Sequence, residues 1–157
     1  MATATVSPPW AYTLHLPQDP RAPGIARSTL RTVLRAHGLA ELRETAELLA
    51  SELVTNAYRH SAGEYALRLW GAGRRRIRLS VWDTNPEIPA PFDGVRRAEQ
   101  QPELAEHGRG LHLVSLCADN WGAYAMRGGL PGRDGKLLWV ECGGGRGESE
   151  PRETWET

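Results

Sequence analysis

SELVTNAYRHS (51–61) is the stretch on which the reading of this chain turns. Within ELRETAELLASELVTNAYRH it belongs to one amphipathic helix over 40–60, with Leu42, Ala46, Leu49 and Leu53 marking the buried side. Glu52 and Asn56 fall where that apolar stripe should continue. Four residues apart, they stand one above the other, with Leu49 and Leu53 on the same flank. Two readings follow. Either the stripe ends here and the pair is solvated, or the pair faces a cleft. In a cleft, Asn56 offers an uncharged oxygen suited to Mg²⁺ and Glu52 a base for an attacking hydroxyl or water. Arg59, three residues on, either reaches a phosphate in that cleft or ends the helix as a solvated cation.

Outward from this helix the periodicity changes several times. WAYTLHLP (10–17) alternates as a strand does, and residues 20–37 place Ile25, Thr29, Leu30, Val33 and Leu34 at helical spacing before Gly38 closes the run. YALRLW (65–70) and RIRLSVWD (76–83) alternate again, and GAGR between them reads as a hairpin connection. Residues 84–106 are rich in Pro and charge and too long for an ordinary connection, the mark of a functional lid or a disordered excursion. GRGLHLVSLCAD (108–119) becomes a short apolar helix, and WGAYAM and KLLWVEC read as two strands around GGLPGRDG. The order strand, two helices, two strands, lid, helix, two strands predicts an α+β two-layer sandwich. Its mixed, mostly antiparallel sheet of about five strands carries three helices on one face. The other face is then open or covered by a partner. Six tryptophans supply aromatic surface for such a contact, and a homodimer is compatible with it.

The 157 residues suit one domain: an arm over 1–9, the folded body over 10–142 with its lid at about 84–107, and a C-terminal tail over 143–157 too poor in apolar residues for a core. Nineteen basic residues balance nineteen acidic ones, so no global field draws the chain to nucleic acid or to a membrane surface. Lys136 is the single lysine. No apolar run reaches the roughly 20 residues of a membrane span, and MATATVSPPW lacks a signal-peptide pattern, so the expected location is the cytoplasm. Cys117 and Cys142 form no metal-ligand spacing and read as buried thiols in a reducing compartment.

Two further places can carry chemistry. Asp83 ends a strand and either caps a turn or accepts a hydrogen bond from a ligand amine at the strand's exposed end. Gly108, Arg109 and Gly110 precede Leu111 at the start of a helix, where glycines let the backbone approach a phosphate and free N–H groups meet its charge. A plain glycine turn is the alternative. The pattern is no dinucleotide fingerprint, because the third glycine would fall at Leu113. Nor is GGLPGRDGK a P-loop, since its first glycine would fall at Leu130 and Lys136 is followed by Leu137.

Taken in order, SELVTNAYRHS, VWDTNP, HGRGLHLVSLCADNWG and DGKLLWVEC resemble the Bergerat ATP-binding fold of gyrases, heat-shock chaperones and histidine kinases. The likeness is strongest to small bacterial anti-sigma factor serine-protein kinases and their stand-alone relatives. The resemblance implies ATP and Mg²⁺ as ligands. It implies Asn56 on the metal, Glu52 as general base, Asp83 as acceptor of the adenine amine, and Gly108 to Leu111 around the phosphates. Arg59 falls where histidine kinases of this fold carry a phosphate-contacting lysine. The implied partners are a sigma factor or similar client and a small antagonist protein phosphorylated on Ser or Thr. The chain departs from the pattern in three places. Asp83 is followed by Thr84-Asn85-Pro86-Glu87 without the usual glycines, Glu106 stands where a basic lid residue can occur, and Gly135-Lys136 replaces Gly-Thr, so that a cation takes the place of a hydroxyl near the nucleotide. These departures leave open a second reading of another class, a non-catalytic or nucleotide-free protein-interaction module of the same fold.

Overall fold

A computed structural model of the chain describes residues 10–93, 109–126 and 134–143. The expected arm, most of the lid with Glu106 and Gly108, and the tail beyond Gly143 lie outside the described residues.

The chain enters as β1 (Ala11–Leu16), an edge strand, and turns at Asp19, whose carboxylate accepts the Arg21 N–H (2.8 Å) just before α1 (Ala22–Ala36). Pro23 sits in the first turn of that helix, where its missing N–H costs nothing. The helix ends because Gly38 takes the left-handed backbone (φ +72°). That lets Leu39 N–H reach the Leu34 carbonyl and Gly38 N–H the Arg35 carbonyl, the paired bonds that close a helix. The second helix expected from residue 40 opens as a 3₁₀ turn (Ala40–Leu42) before α2 (Arg43–His60).

Then come β2 (Tyr65–Gly71) and β3 (Ile77–Asp83), α3 (Arg109–Cys117), β4 (Asn120–Met126) and β5 (Gly135–Cys142). The five strands lie in the order β1-β2-β3-β5-β4, every pairing antiparallel. The architecture is thus the α+β sandwich, with three α-helices and five strands among the described residues.

The sheet alternates cleanly. Leu67, Leu69, Leu79, Val81, Leu138 and Val140 are buried and share one face, in cross-strand register Leu67–Val81–Leu138 and Leu69–Leu79–Val140. Against that face packs α2, through Ala46, Ala50, Leu53 and Ala57, with α1 and α3 on its two sides. Arg31 of α1 pairs with Glu47 of α2, which fixes the flank that α1 covers. At 100° per residue Asn56 lies half a turn around the axis from Glu47, and Glu52 close to it. The apolar stripe is therefore continuous along the sheet-facing side, and Glu52 and Asn56 occupy the flank turned away from α1.

The opposite sheet face is not covered by described residues. There the Arg78 guanidinium lies over the Trp139 ring (4.3 Å) and near that of Trp70 (5.5 Å), Arg68 covers Trp70 (4.6 Å), and Glu141 accepts from Arg78 Nε (2.7 Å). Gly122 makes room for this array: a Cβ there would stand 2.6 Å from the Trp139 indole nitrogen. Tyr124 and Met126 are exposed on the same side of β4. Cys142 is buried, with burial pushing its thiol up to about 12, whereas Cys117 is only half-buried; both are free. Among the described residues no helix is long and apolar enough to cross a membrane.

Leu53 has no exposed surface and is the largest of the side chains by which α2 packs on the sheet. Leu53→Ala should cost about 2–5 kcal/mol in urea denaturation; a loss below about 1 kcal/mol would show that α2 is held elsewhere.

Candidate functional site

The C-terminal end of α2 and the end of β3 are tied together by short polar bonds. Asn85 Nδ2 donates to the His60 carbonyl (2.8 Å), and the hydroxyls of Ser61 and Thr84 share a hydrogen bond (2.9 Å). Gln18 Nε2 donates to the Ser61 carbonyl (2.9 Å), securing the same corner from the β1 side. These contacts bring Asp83 under the last turns of α2. Asn56 and Glu52 follow one and two turns back along the helix.

Asp83 points to the helix side of the sheet, continuing the row of Leu79 and Val81, and is 1% exposed. Its Oδ1 accepts the Asn85 N–H (2.8 Å), a turn-capping bond, and Asn85 repeats the device by accepting the Glu87 N–H (3.0 Å). The two asparagine and aspartate turns do the bending for which glycines would otherwise serve. Directly across the ladder is Lys136, also 1% exposed, whose ammonium lies 2.9 Å from each carboxylate oxygen and 3.1 Å from the Asn85 carbonyl. Gly135 beside it packs against the backbone of Asp83 so closely that any Cβ would collide with the Asp83 carbonyl oxygen.

On α2, the Oδ1 of Asn56 is buried and has no hydrogen-bond partner among the described residues. A buried amide oxygen left unpaired is costly, and a cation or its bound water would satisfy it. Glu52 is half-buried; burial pushes its carboxyl above the ordinary range, and Arg59, two turns along the same flank, partly draws it back. Arg59 itself is exposed. One neutral oxygen beside a carboxylate is the donor set for a Mg²⁺ whose remaining ligands are phosphate oxygens and water. Arg109 and Gly110 open α3, and Leu111 in its first turn is buried in the core.

The structure thus gathers Asp83, Lys136 and the last turns of α2 at one end of the sheet. It sets Lys136 on Asp83, a pairing that sequence spacing alone does not reveal, because it depends on the β3–β5 register. Asn85 was not singled out from sequence either, although an Asp-x-Asn run after a strand is a recognisable signal for successive side-chain-capped turns. Tyr65 was not singled out either: it is fully buried, its hydroxyl has no partner among the described residues, and it occupies the position next to Ala66, which pairs with Trp82. Two surface depressions, of about 560 Å³ along Glu44 to Ser51 and about 730 Å³ between Tyr12 and Ile25, lie away from Asn56 and Asp83.

Residues 16–130 match the family described as the histidine kinase-like ATPase domain, more than half of the chain. A comparison with curated proteins gives no match.

Since burial raises the Glu52 pKa in the folded state, the folded chain holds that proton more tightly than the unfolded one. Its ionised form therefore lowers stability above the folded pKa, and the penalty vanishes below the ordinary glutamate value, about pH 4. Glu52→Gln is accordingly expected to melt higher than wild type at about pH 7, with the gap closing toward about pH 4. A gap that is constant across thermal melts at several pH values would remove the claim that Glu52 is desolvated.

Proposed function

Because the chain belongs to the histidine kinase-like ATPase domain family, we propose that it is an ATP-binding regulatory protein that phosphorylates a serine or threonine of a partner protein. The observation that carries this reading is the buried Asn56 Oδ1, without a partner among the described residues, next to half-buried Glu52 on the flank of α2 left free by α1. A pure packing surface has no use for either group there.

In this reading Asn56 holds Mg²⁺, and the metal supplies charge neutralisation at the phosphates. Asp83 accepts the exocyclic amine of adenine through Oδ2. Arg109 to Leu111, at the start of α3, offer backbone N–H groups to the phosphates, and Gly108 before them belongs to the same segment of sequence. Arg59 adds positive charge at the far end of the same flank. Glu52 takes the proton of the attacking hydroxyl as its oxygen bonds to the terminal phosphorus, and the bond to the departing ADP oxygen breaks. A carboxyl raised by burial is a better match for that proton than a fully solvated one. The chain itself is of the anti-sigma type in this reading: its partners are a sigma factor or similar client and a small antagonist as phosphoacceptor, and it acts in the cytoplasm.

The engagement of Asp83 by Lys136 and Asn85 favours one alternative. Asp83 is partnered without a ligand, as it would be in a protein-interaction module that has given up nucleotide. The open aromatic face of the sheet would then be its working surface.

Calorimetric titration with ATP, with and without Mg²⁺, separates these. Asn56→Ala should lose the metal-dependent part of ATP affinity, by tenfold or more on the scale of about 1.4 kcal/mol per decade, while melting like wild type; unchanged affinity would remove Asn56 from the site. Glu52→Gln should keep ATP binding and lose phosphoryl transfer by roughly 10²-fold or more. A variant that still transfers at the wild-type rate would assign the base to another group.

A further inference from the structure

The geometry points to Lys136 as an internal occupant of the base-reading carboxylate: we propose that its ammonium competes with the purine amine for Asp83 and so sets the nucleotide affinity of the site. This rests on the reading of Asp83 as the residue that meets the base.

A carboxylate offers about four acceptor positions. In the structure the Asn85 N–H takes one on Oδ1, and the Lys136 ammonium lies 2.9 Å from both Oδ1 and Oδ2. It also donates to the Asn85 carbonyl (3.1 Å). The ammonium thus sits against both carboxylate oxygens and leaves Oδ2 the less occupied of the two. An incoming amine would meet an acceptor whose charge is already compensated at contact distance. Hydrogen bonds to a free carboxylate are roughly twice as strong as neutral ones, and that surplus is what the ammonium removes.

The pair is fixed where it stands. Asp83 and Lys136 are both 1% exposed and directly opposed in the β3–β5 ladder. Gly135 leaves no gap by which the strand could shift, since a side chain there would strike the Asp83 carbonyl. The lysine therefore stabilises the ligand-free protein, because a buried carboxylate without a partner is costly. What stabilises only the ligand-free form weakens binding by the same amount. A merely structural lysine would lack this reciprocity.

The test is Lys136→Thr, which shortens the side chain and leaves a hydroxyl donor. Lys136→Gln, of similar length and uncharged, serves if the threonine variant does not fold. Each is titrated with Mg-ATP and with Mg-tripolyphosphate, which has phosphates but no base, and each is melted without ligand. The expected result is ATP binding roughly tenfold tighter than wild type, unchanged tripolyphosphate binding, and a lower ligand-free melting temperature. ATP binding that is unchanged or weaker in a folded variant overturns the proposal, as does an equal gain for tripolyphosphate. If neither wild type nor the variants bind ATP, the nucleotide reading itself fails and this inference falls with it; if all bind alike, only the role of Lys136 is lost.

Discussion

Asp83 and Lys136 can be buried only together. Either charge alone at 1% exposure would carry an uncompensated desolvation cost of several kcal/mol, so the end of β3 and the start of β5 are obliged to meet. From that meeting follows the β3–β5 register, with Val81 opposite Leu138 and Leu79 opposite Val140. The central row of the core is set by it. The same carboxylate anchors the turn at Asn85, and Asn85 anchors the end of α2 through the His60 carbonyl. One ion pair thus fixes the strand pairing beneath the site and the helix above it.

Three sides of α2 have three uses. Glu47 answers Arg31 of α1, the small and branched residues from Ala46 to Ala57 meet the sheet, and Glu52 with Asn56 is left on the remaining flank. Alanine at positions 46, 50 and 57 is what lets the helix sit close enough to β3 for Asp83 to come under its last turns. A polar pair on a helix is usually solvated because it has nothing to face. Here one member of the pair has a buried amide oxygen without a partner among the described residues and the other is half-buried, which gives an ordinary spacing of four residues a chemical meaning.

Much of this was legible beforehand. Alternation in YALRLW and RIRLSVWD gave β2 and β3, because an uncovered second face keeps Arg68 and Arg78 at every other position. Gly38 marked the end of α1 because a left-handed residue was needed there. Glu52 and Asn56 were legible as a departure from an expected stripe, although the stripe proved continuous one position around the helix. The Asp83–Lys136 contact was not legible: the residues are 53 apart, and only a known ladder places them opposite. The 3₁₀ opening before α2 was missed because ELRETAE is helical in composition, and tertiary context decides the first turn. The array of Trp70, Arg78 and Trp139 was foreseen only as aromatic surface. Its stacking depends on the absence of a side chain at Gly122 on the neighbouring strand.

Lys136 is the chain's only lysine, and it is enclosed in the core against Asp83. All the remaining side-chain positive charge is arginine, apart from histidine. Amine-directed chemistry such as acylation, amine cross-linking or isopeptide tagging for degradation therefore finds no accessible ε-amino group in the folded chain. Reagents of that kind would react at Lys136 only in proportion to how often the pair opens, which makes this residue a natural reporter of opening at the site.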